Sequence, residues 1–268
     1  MTGFDLENPD HAYMFGFLQA DGHLYEGTRN RGRISVELSA RDTPLLEAFQ
    51  RLCPWPSSIR HRTRTTNFAA DHTSVIWTAH AREFRERLVE LGLPAGRKSF
   101  SVAPPEPPFA ERDYLRGLID ADGSLGRTAQ DVPFVGLTTA SEAWMGFFCH
   151  YTRELTGARR TVNRNRRDGV YNILFTREDA RALARDLYPP GCLTLPRKLA
   201  ASADVASWVR PAGMRRAWTP EDDRLLLAAD TAAAAAVVLG RSVSSCSMRR
   251  WRLAGPRKAG VRFPRTPA

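Results

Sequence analysis

Lysine is nearly absent from this chain. Of 39 basic residues only Lys98, Lys198 and Lys258 are lysines, and the other 36 are arginines. Cysteine is scarce as well. Cys53, Cys149, Cys192 and Cys246 are scattered with no Cys-x-x-Cys pair, which argues against a zinc site or a disulfide framework and fits a reducing compartment. The six histidines form no close pair at ligand spacing. No long apolar run exists: the longest, Ala232 to Leu239, is far too short to cross a bilayer. The N-terminus lacks the basic-then-apolar layout of a signal peptide. These absences predict a cytoplasmic protein, not secreted, with no membrane partner.

What is present is an ordinary globular composition, 43% hydrophobic and 25% charged over 268 residues, enough for roughly two domains. The net charge of +10 is unevenly spread. Residues 213–268 hold 11 basic and 4 acidic residues, net +7, against 28 basic and 25 acidic in residues 1–212. A coding bias explains the Arg:Lys ratio but not the clustering. A basic tail on a nearly balanced body points to a polyanionic partner, most simply nucleic acid.

The chain repeats itself. Met14-Phe-Gly-Phe-Leu-Gln-Ala-Asp-Gly22 returns 101 residues later as Leu115-Arg-Gly-Leu-Ile-Asp-Ala-Asp-Gly123. Arg60, Arg62 and Arg64 follow Asp21 by 39, 41 and 43 residues; Arg160, Arg164 and Arg166 follow Asp122 by 38, 42 and 44. Lys98 is 77 residues after Asp21, and Lys198 is 76 after Asp122. Residues 1–103 and 104–200 thus read as two copies of one unit, joined by a proline-rich connector over residues 99–108. Asn8 and Pro9 suit the cap and first turn of the opening helix. Alternation such as Ile34, Val36, Leu38 marks half-buried strands. The pattern predicts αββαββα twice, an α+β fold with helices on one face of antiparallel sheets. In copy two it places strands near 160–166 and 170–176 and helices over 142–156 and 178–187. After a short Ala/Ser-rich segment over 199–213 the composition changes. A small all-α three-helix domain follows over 213–254, with Thr219 as N-cap, and a disordered basic tail over 255–268.

Within each motif a Gly and an Ala sit four apart, Gly16 with Ala20 and Gly117 with Ala121. Small residues on one helix face let two helix backbones approach closely. Packing the motif helices on one another places Asp21 and Asp122 together at two helix C-termini, where carbonyls lack partners and the dipole is negative. Such an oxygen-rich, anionic pocket suits Mg²⁺ or another hard divalent cation, two or more ions at the repeat interface flanking a phosphate. One Ala-Asp-Gly could merely end a helix; two in register argue otherwise.

These segments resemble the motif of the LAGLIDADG homing endonucleases, copy two departing from the eponymous string only at Arg116. The resemblance spans residues 1–200 and implies a monomer whose two pseudo-symmetric repeats form a DNA-binding saddle and make a metal-dependent double-strand break in a long, asymmetric DNA target. It implies that Asp21 and Asp122, with the carbonyls of Ala20 and Ala121, bind Mg²⁺. It also suggests that Lys98 and Lys198 match the basic residue that polarises water or steadies the phosphate. Gln19 departs from the usual acid at the sixth motif position. Arg29, Arg31 and Arg33, Arg60, Arg62 and Arg64, and Arg160, Arg164 and Arg166 are expected on sheet faces that contact double-stranded DNA. The segment 215–254 resembles a Myb/SANT-like helix-turn-helix domain, making Arg241, Arg249, Arg250 and Arg252 candidate DNA contacts. A nucleoid-associated location follows. No Cys or Ser opens the chain and no His-Asn pair closes it, so no intein is expected. The rival readings are a non-cleaving DNA-binding regulator of the same fold and an RNA-splicing maturase.

Overall fold

The computed structural model describes residues 3–27, 31–66, 69–106, 108–211 and 218–254. Arg29 and the tail 255–268 lie outside the described residues. The chain divides into two compact units between Arg210 and Pro211.

The first unit opens with α1 (Pro9–Asp21), β1 (His23–Tyr25), β2 (Arg33–Ser39), α2 (Thr43–Leu52), β3 (Ser57–Thr66), β4 (Ala69–Ala79) and α3 (Arg82–Glu90). It continues with α4 (Glu111–Ala121), β5 (Gly123–Arg127), β6 (Pro133–Thr139), α5 (Glu142–Thr156), β7 (Tyr171–Thr176), α6 (Glu178–Leu187) and α7 (Pro196–Ser207). Capping begins α1 as expected: the Asn8 side chain accepts from the N–H groups of Asp10 at 2.9 Å and His11 at 3.3 Å, and Pro9 takes the first turn.

Two antiparallel sheets result, ordered β1-β2-β4-β3 and β5-β6-β7. Each buries one face under helices. In the first, Ile34, Val36, Val75, Trp77 and Ala79 are buried, and Phe49 of α2 and Phe84 of α3 meet the Trp77 ring edge-on. In the second, Val135, Leu137, Ile173 and Phe175 are buried, with Phe148 of α5 edge-on to Phe175. Alternation leaves the opposite faces uncovered by these helices.

One expected strand is missing. Residues 160–166 form no strand; copy two reads αββαβα, and the segment ends in a turn closed by Asn165 N–H to Val170 O at 2.8 Å and Gly169 N–H to Asn165 O at 2.9 Å. The reason is composition: residues 159–167 carry one apolar side chain, Val162, so no inward row exists to hold a strand on the core. The Ala/Ser-rich segment is helical through Ser207. Pro196 starts α7, which buries Lys198, Ser202 and Val205 on one face.

The second unit holds three helices, α8 (Pro220–Ala228), α9 (Ala232–Leu239) and α10 (Val243–Ala254). Thr219 and Asp222 form a reciprocal capping box at α8, and Gly240 ends α9 in the left-handed region at φ +58°. Leu226, Ala235, Ala236, Leu239 and Cys246 make a small core of their own. Among the described residues no helix is long and apolar enough to cross a membrane, and all four cysteines are free.

Candidate active site at the paired helix ends

The helices α1 and α4 pack backbone against backbone. A Cβ on Gly16 would lie 2.3 Å from the Tyr114 carbonyl oxygen, and one on Gly117 would lie 2.2 Å from the Tyr13 carbonyl oxygen and 2.9 Å from the Phe17 nitrogen. Only glycine permits this approach. Phe17, Leu18, Leu118 and Ile119 flank the seam and are buried.

The seam carries Asp21, the last residue of α1, and Asp122, the residue capping α4, whose charge reaches Asp21. Both residues reach solvent, yet protein atoms crowd them and strip part of their hydration. That desolvation, followed by repulsion from Asp122, pushes the Asp21 carboxyl up from 3.8 to about 6, against the pull of Lys98, Arg197 and Lys198. Desolvation raises Asp122 too, opposed by Lys98 and Lys198.

Each helix end is gripped by one lysine in the same way. Lys98 donates from Nζ to the Leu18 carbonyl at 3.0 Å and to the Gly22 carbonyl. Lys198 donates to the Ile119 carbonyl at 2.9 Å and to the Gly123 carbonyl at 2.6 Å. Leu18 and Ile119, like Gly22 and Gly123, stand 101 residues apart. Burial depresses both ammonium groups to about 8, although the nearby aspartates work to raise them.

Two crowded carboxylates that favour protonation are the donor set a divalent cation relieves. Ala20 and Ala121 lie in the last turns of their helices, where carbonyls have no partner within the helix. No cluster of three or more His, Cys, Asp or Glu side chains exists among the described residues. An ion held here by Asp21, Asp122 and those carbonyls would complete its shell with water and phosphate oxygens, the habit of Mg²⁺.

Beneath the aspartates lies a network that the motif spacing alone does not announce. Asp120 is fully buried; its Oδ1 accepts from Tyr188 at 2.7 Å, and its Oδ2 from Tyr13 at 2.6 Å, Thr194 at 2.8 Å and the Leu195 N–H at 2.8 Å. Gln19, also fully buried, donates to the Gly92 carbonyl at 2.8 Å and the Ala103 carbonyl at 3.1 Å and accepts from Tyr114 at 2.5 Å. The tyrosines cross the seam, each serving the other repeat's motif. The 101-residue offset that pairs Tyr13 with Tyr114 and Gln19 with Asp120 is the signal that finds them. Arg116, the one departure from the motif string in copy two, is 1% exposed. It donates to the carbonyls of Leu187 at 3.0 Å and Leu193 at 2.9 Å, and pairs with Asp113 at 2.7 Å.

The arginines divide into groups. Arg60, Arg62 and Arg64 lie on the open face of β3 and are exposed, with Arg64 3.3 Å from Glu37 of β2. Arg33 shares that face and sits 5.5 Å over the Tyr25 ring; Arg31 precedes β2 and is exposed. Arg160, Arg164 and Arg166 are exposed but share no strand face, which corrects their expected alignment. Arg160 lies over the Phe175 ring at 5.8 Å, and Arg164 donates to the Gly169 carbonyl at 2.7 Å. The open face of the second sheet therefore carries Ser124, Phe134, Thr138, Asn172 and Leu174 rather than charge.

In the second unit, Arg241 lies over the Trp218 ring at 4.1 Å and pairs with Asp222 at 2.8 Å. Arg249 pairs with Asp223 at 2.6 Å, and Arg250 donates to the Ala229 carbonyl. Each of these three guanidiniums thus has a partner within its own unit. Arg252 is exposed on α10.

Residues 110–187 match the model of a LAGLIDADG-like domain. No curated protein matches the chain. Among solved structures, the homing endonuclease I-WcaI bound to its DNA recognition sequence is 11% identical, with a TM-score of 0.52 over 75% of this chain and 88% of that one. Mesophilic variants of the homing endonuclease I-DmoI are 16% identical, with a TM-score of 0.49 over 73% of this chain and 98% of theirs. The N-terminal LAGLIDADG domain of DUF199/WhiA is 12% identical, with a TM-score of 0.42 over 79% and 87%. Residues 110–187 are thus similar to a LAGLIDADG-like domain, and the chain has a mixed α+β fold like that of the homing endonuclease I-WcaI.

Proposed function

We propose that the protein is a site-specific DNA endonuclease that makes a divalent-metal-dependent double-strand break. The observation that carries this reading is the symmetric pairing of Asp21 with Asp122 at two abutting helix ends, each end gripped by its own lysine. Asp21, Asp122 and the carbonyls of Ala20 and Ala121 would hold the cation, with Mg²⁺ the expected ion. When bound, it supplies activation of water and stabilisation of the leaving oxygen. The chain's residues do the rest. Lys98 and Lys198 keep a positive charge at each helix end, where it can face a phosphate oxygen. Arg33, Arg60, Arg62 and Arg64 offer cationic contacts to backbone or guanine edges along one half of a long target. Tandem repeats in one chain favour an asymmetric target and action as a monomer.

The second unit is proposed as a Myb/SANT-like DNA-binding domain that extends the footprint, with Arg252 its most accessible candidate contact among the four arginines. The cytoplasm, or a nucleoid within it, is the compartment this chemistry suits.

The test is incubation with a randomised duplex pool, with and without Mg²⁺. Ligation-capture of cut ends should recover one enriched long sequence only with the metal. A protein that binds the pool selectively yet never cuts it would be a DNA-binding regulator instead.

A further inference from the structure

We infer that Gln19 and Asp120, the sixth residues of the two motifs, are positioning residues, each fixing the lysine of its own repeat. The second part of the inference, that they make the two strand-cutting centres unequal, rests on the endonuclease reading; the first part does not.

Among the described residues no hydrogen bond joins either side chain to a lysine, though the charge of Asp120 raises the Lys198 ammonium; each side chain holds the chain that carries one. Asp120 accepts from Thr194 and from the Leu195 N–H. Leu195 is the N-cap of α7, and its carbonyl takes the Lys198 N–H at 2.9 Å. The carboxylate therefore pins the first turn of α7, and Lys198 follows one step later on the buried face. Gln19 does the same by other means. Its amide donates to Gly92 and Ala103, the two sides of the segment that bears Lys98. The crossed hydroxyls of Tyr13 and Tyr114 orient the two side chains from the opposite repeat. Both residues are fully buried, so neither can serve the substrate directly.

The two anchors differ in chemistry. Asp120 is a carboxylate surrounded by four donors, while Gln19 is a neutral amide that donates twice and accepts once. Exchanging either residue for its isostere weakens its own anchor. An amide at 120 removes the charge and one of the two acceptor oxygens that four donors share, and a carboxylate at 19 faces two carbonyls that need donors. Damage should therefore stay within one repeat. Misplacing a group by about 1 Å can cost about 100-fold in rate.

The scarcity of lysine supplies the readout. Selective ¹³Cε-lysine labelling of the full chain gives three signals, assigned by Lys98→Met and Lys198→Met. Asp120→Asn should move the Lys198 signal and leave that of Lys98; Gln19→Glu should do the reverse. Thr194→Val, which removes one hydroxyl from the Asp120 side, is the milder probe should Asp120→Asn fail to fold, and it should move Lys198 alone. On a duplex selected by the wild-type protein, Asp120→Asn and Gln19→Glu should each slow one strand about 10- to 100-fold more than the other, and spare opposite strands. Signals that move together or not at all overturn the positioning role. Selective shifts with equal slowing of both strands overturn the inequality alone. A wild-type protein that cuts nothing overturns the endonuclease reading, while the lysine signals still decide the positioning.

Discussion

Asp21 holds its proton more tightly in the folded protein than in the unfolded chain, because crowding and then Asp122 raise it to about 6. Its contribution to stability is full below the ordinary carboxylate value and is lost as the pH climbs through about 6. Lys98 and Lys198 run the other way. Lowered to about 8, they contribute above their unfolded value of 10.5, and that contribution is lost as the pH falls through about 8. Between these limits all three groups carry charge and the metal-free site is least content. Melting curves should therefore show a larger Mg²⁺-induced rise in Tm near pH 7 than near pH 5, since a ligand that binds only the folded state stabilises it. Asp21→Asn should abolish most of that difference. An equal metal effect at both pH values would place the ion elsewhere. Lys98→Met and Lys198→Met keep the stem and remove the charge; single-turnover cleavage should slow by about 10²–10⁴-fold while DNA binding persists.

At the scale of elements, the seam between α1 and α4 and the two unequal sheets decide the behaviour. Gly117→Ala drives a methyl into the Tyr13 carbonyl across the seam, so it should destabilise the first unit by about 3 kcal/mol or more, measured by urea unfolding. A loss under about 0.5 kcal/mol would mean the helices can separate freely. The sheets make a prediction about salt. Replacing Arg60, Arg62 and Arg64 with Gln should flatten the slope of log K against log salt by about 0.9 for each phosphate no longer neutralised. Replacing Phe134 and Leu174 should change sequence preference while leaving that slope alone, because their open face carries no charge. The motif helices, the Asn8 cap and the strand alternation of copy one were legible because each rests on local periodicity or a short-range cap. The missing strand of copy two was not. The recurring arginine offsets imitated repeat symmetry, whereas a strand also needs an apolar row, and around Val162 there is none. Helix α7 was hidden for the converse reason: its inward face is set by Lys198 and Ser202, polar residues that a hydrophobic pattern passes over.

At the scale of the whole molecule, function is divided between a unit with paired carboxylates and a unit without them. Residues 1–210 retain Asp21, Asp122, both motif lysines and the arginines of β3, so this fragment should still cut, at higher protein concentration and with a shorter footprint. A fragment of 211–268 should never cut. The site's aspartates and lysines could be found from repeat offsets; the same offset pairs Gln19 with Asp120, but their anchoring contacts show only once the packed helices are seen to exchange tyrosines. The two helix ends are expected to form one nuclease centre. The most direct measurement is strand-resolved, single-turnover cleavage of a selected duplex in Mg²⁺ by wild type, Asp21→Asn and Asp122→Asn, with binding measured alongside in Ca²⁺. Wild type should cut both strands, and each variant should lose the double-strand break while binding within a few-fold of wild type. Two variants that break both strands at the wild-type rate would contradict it.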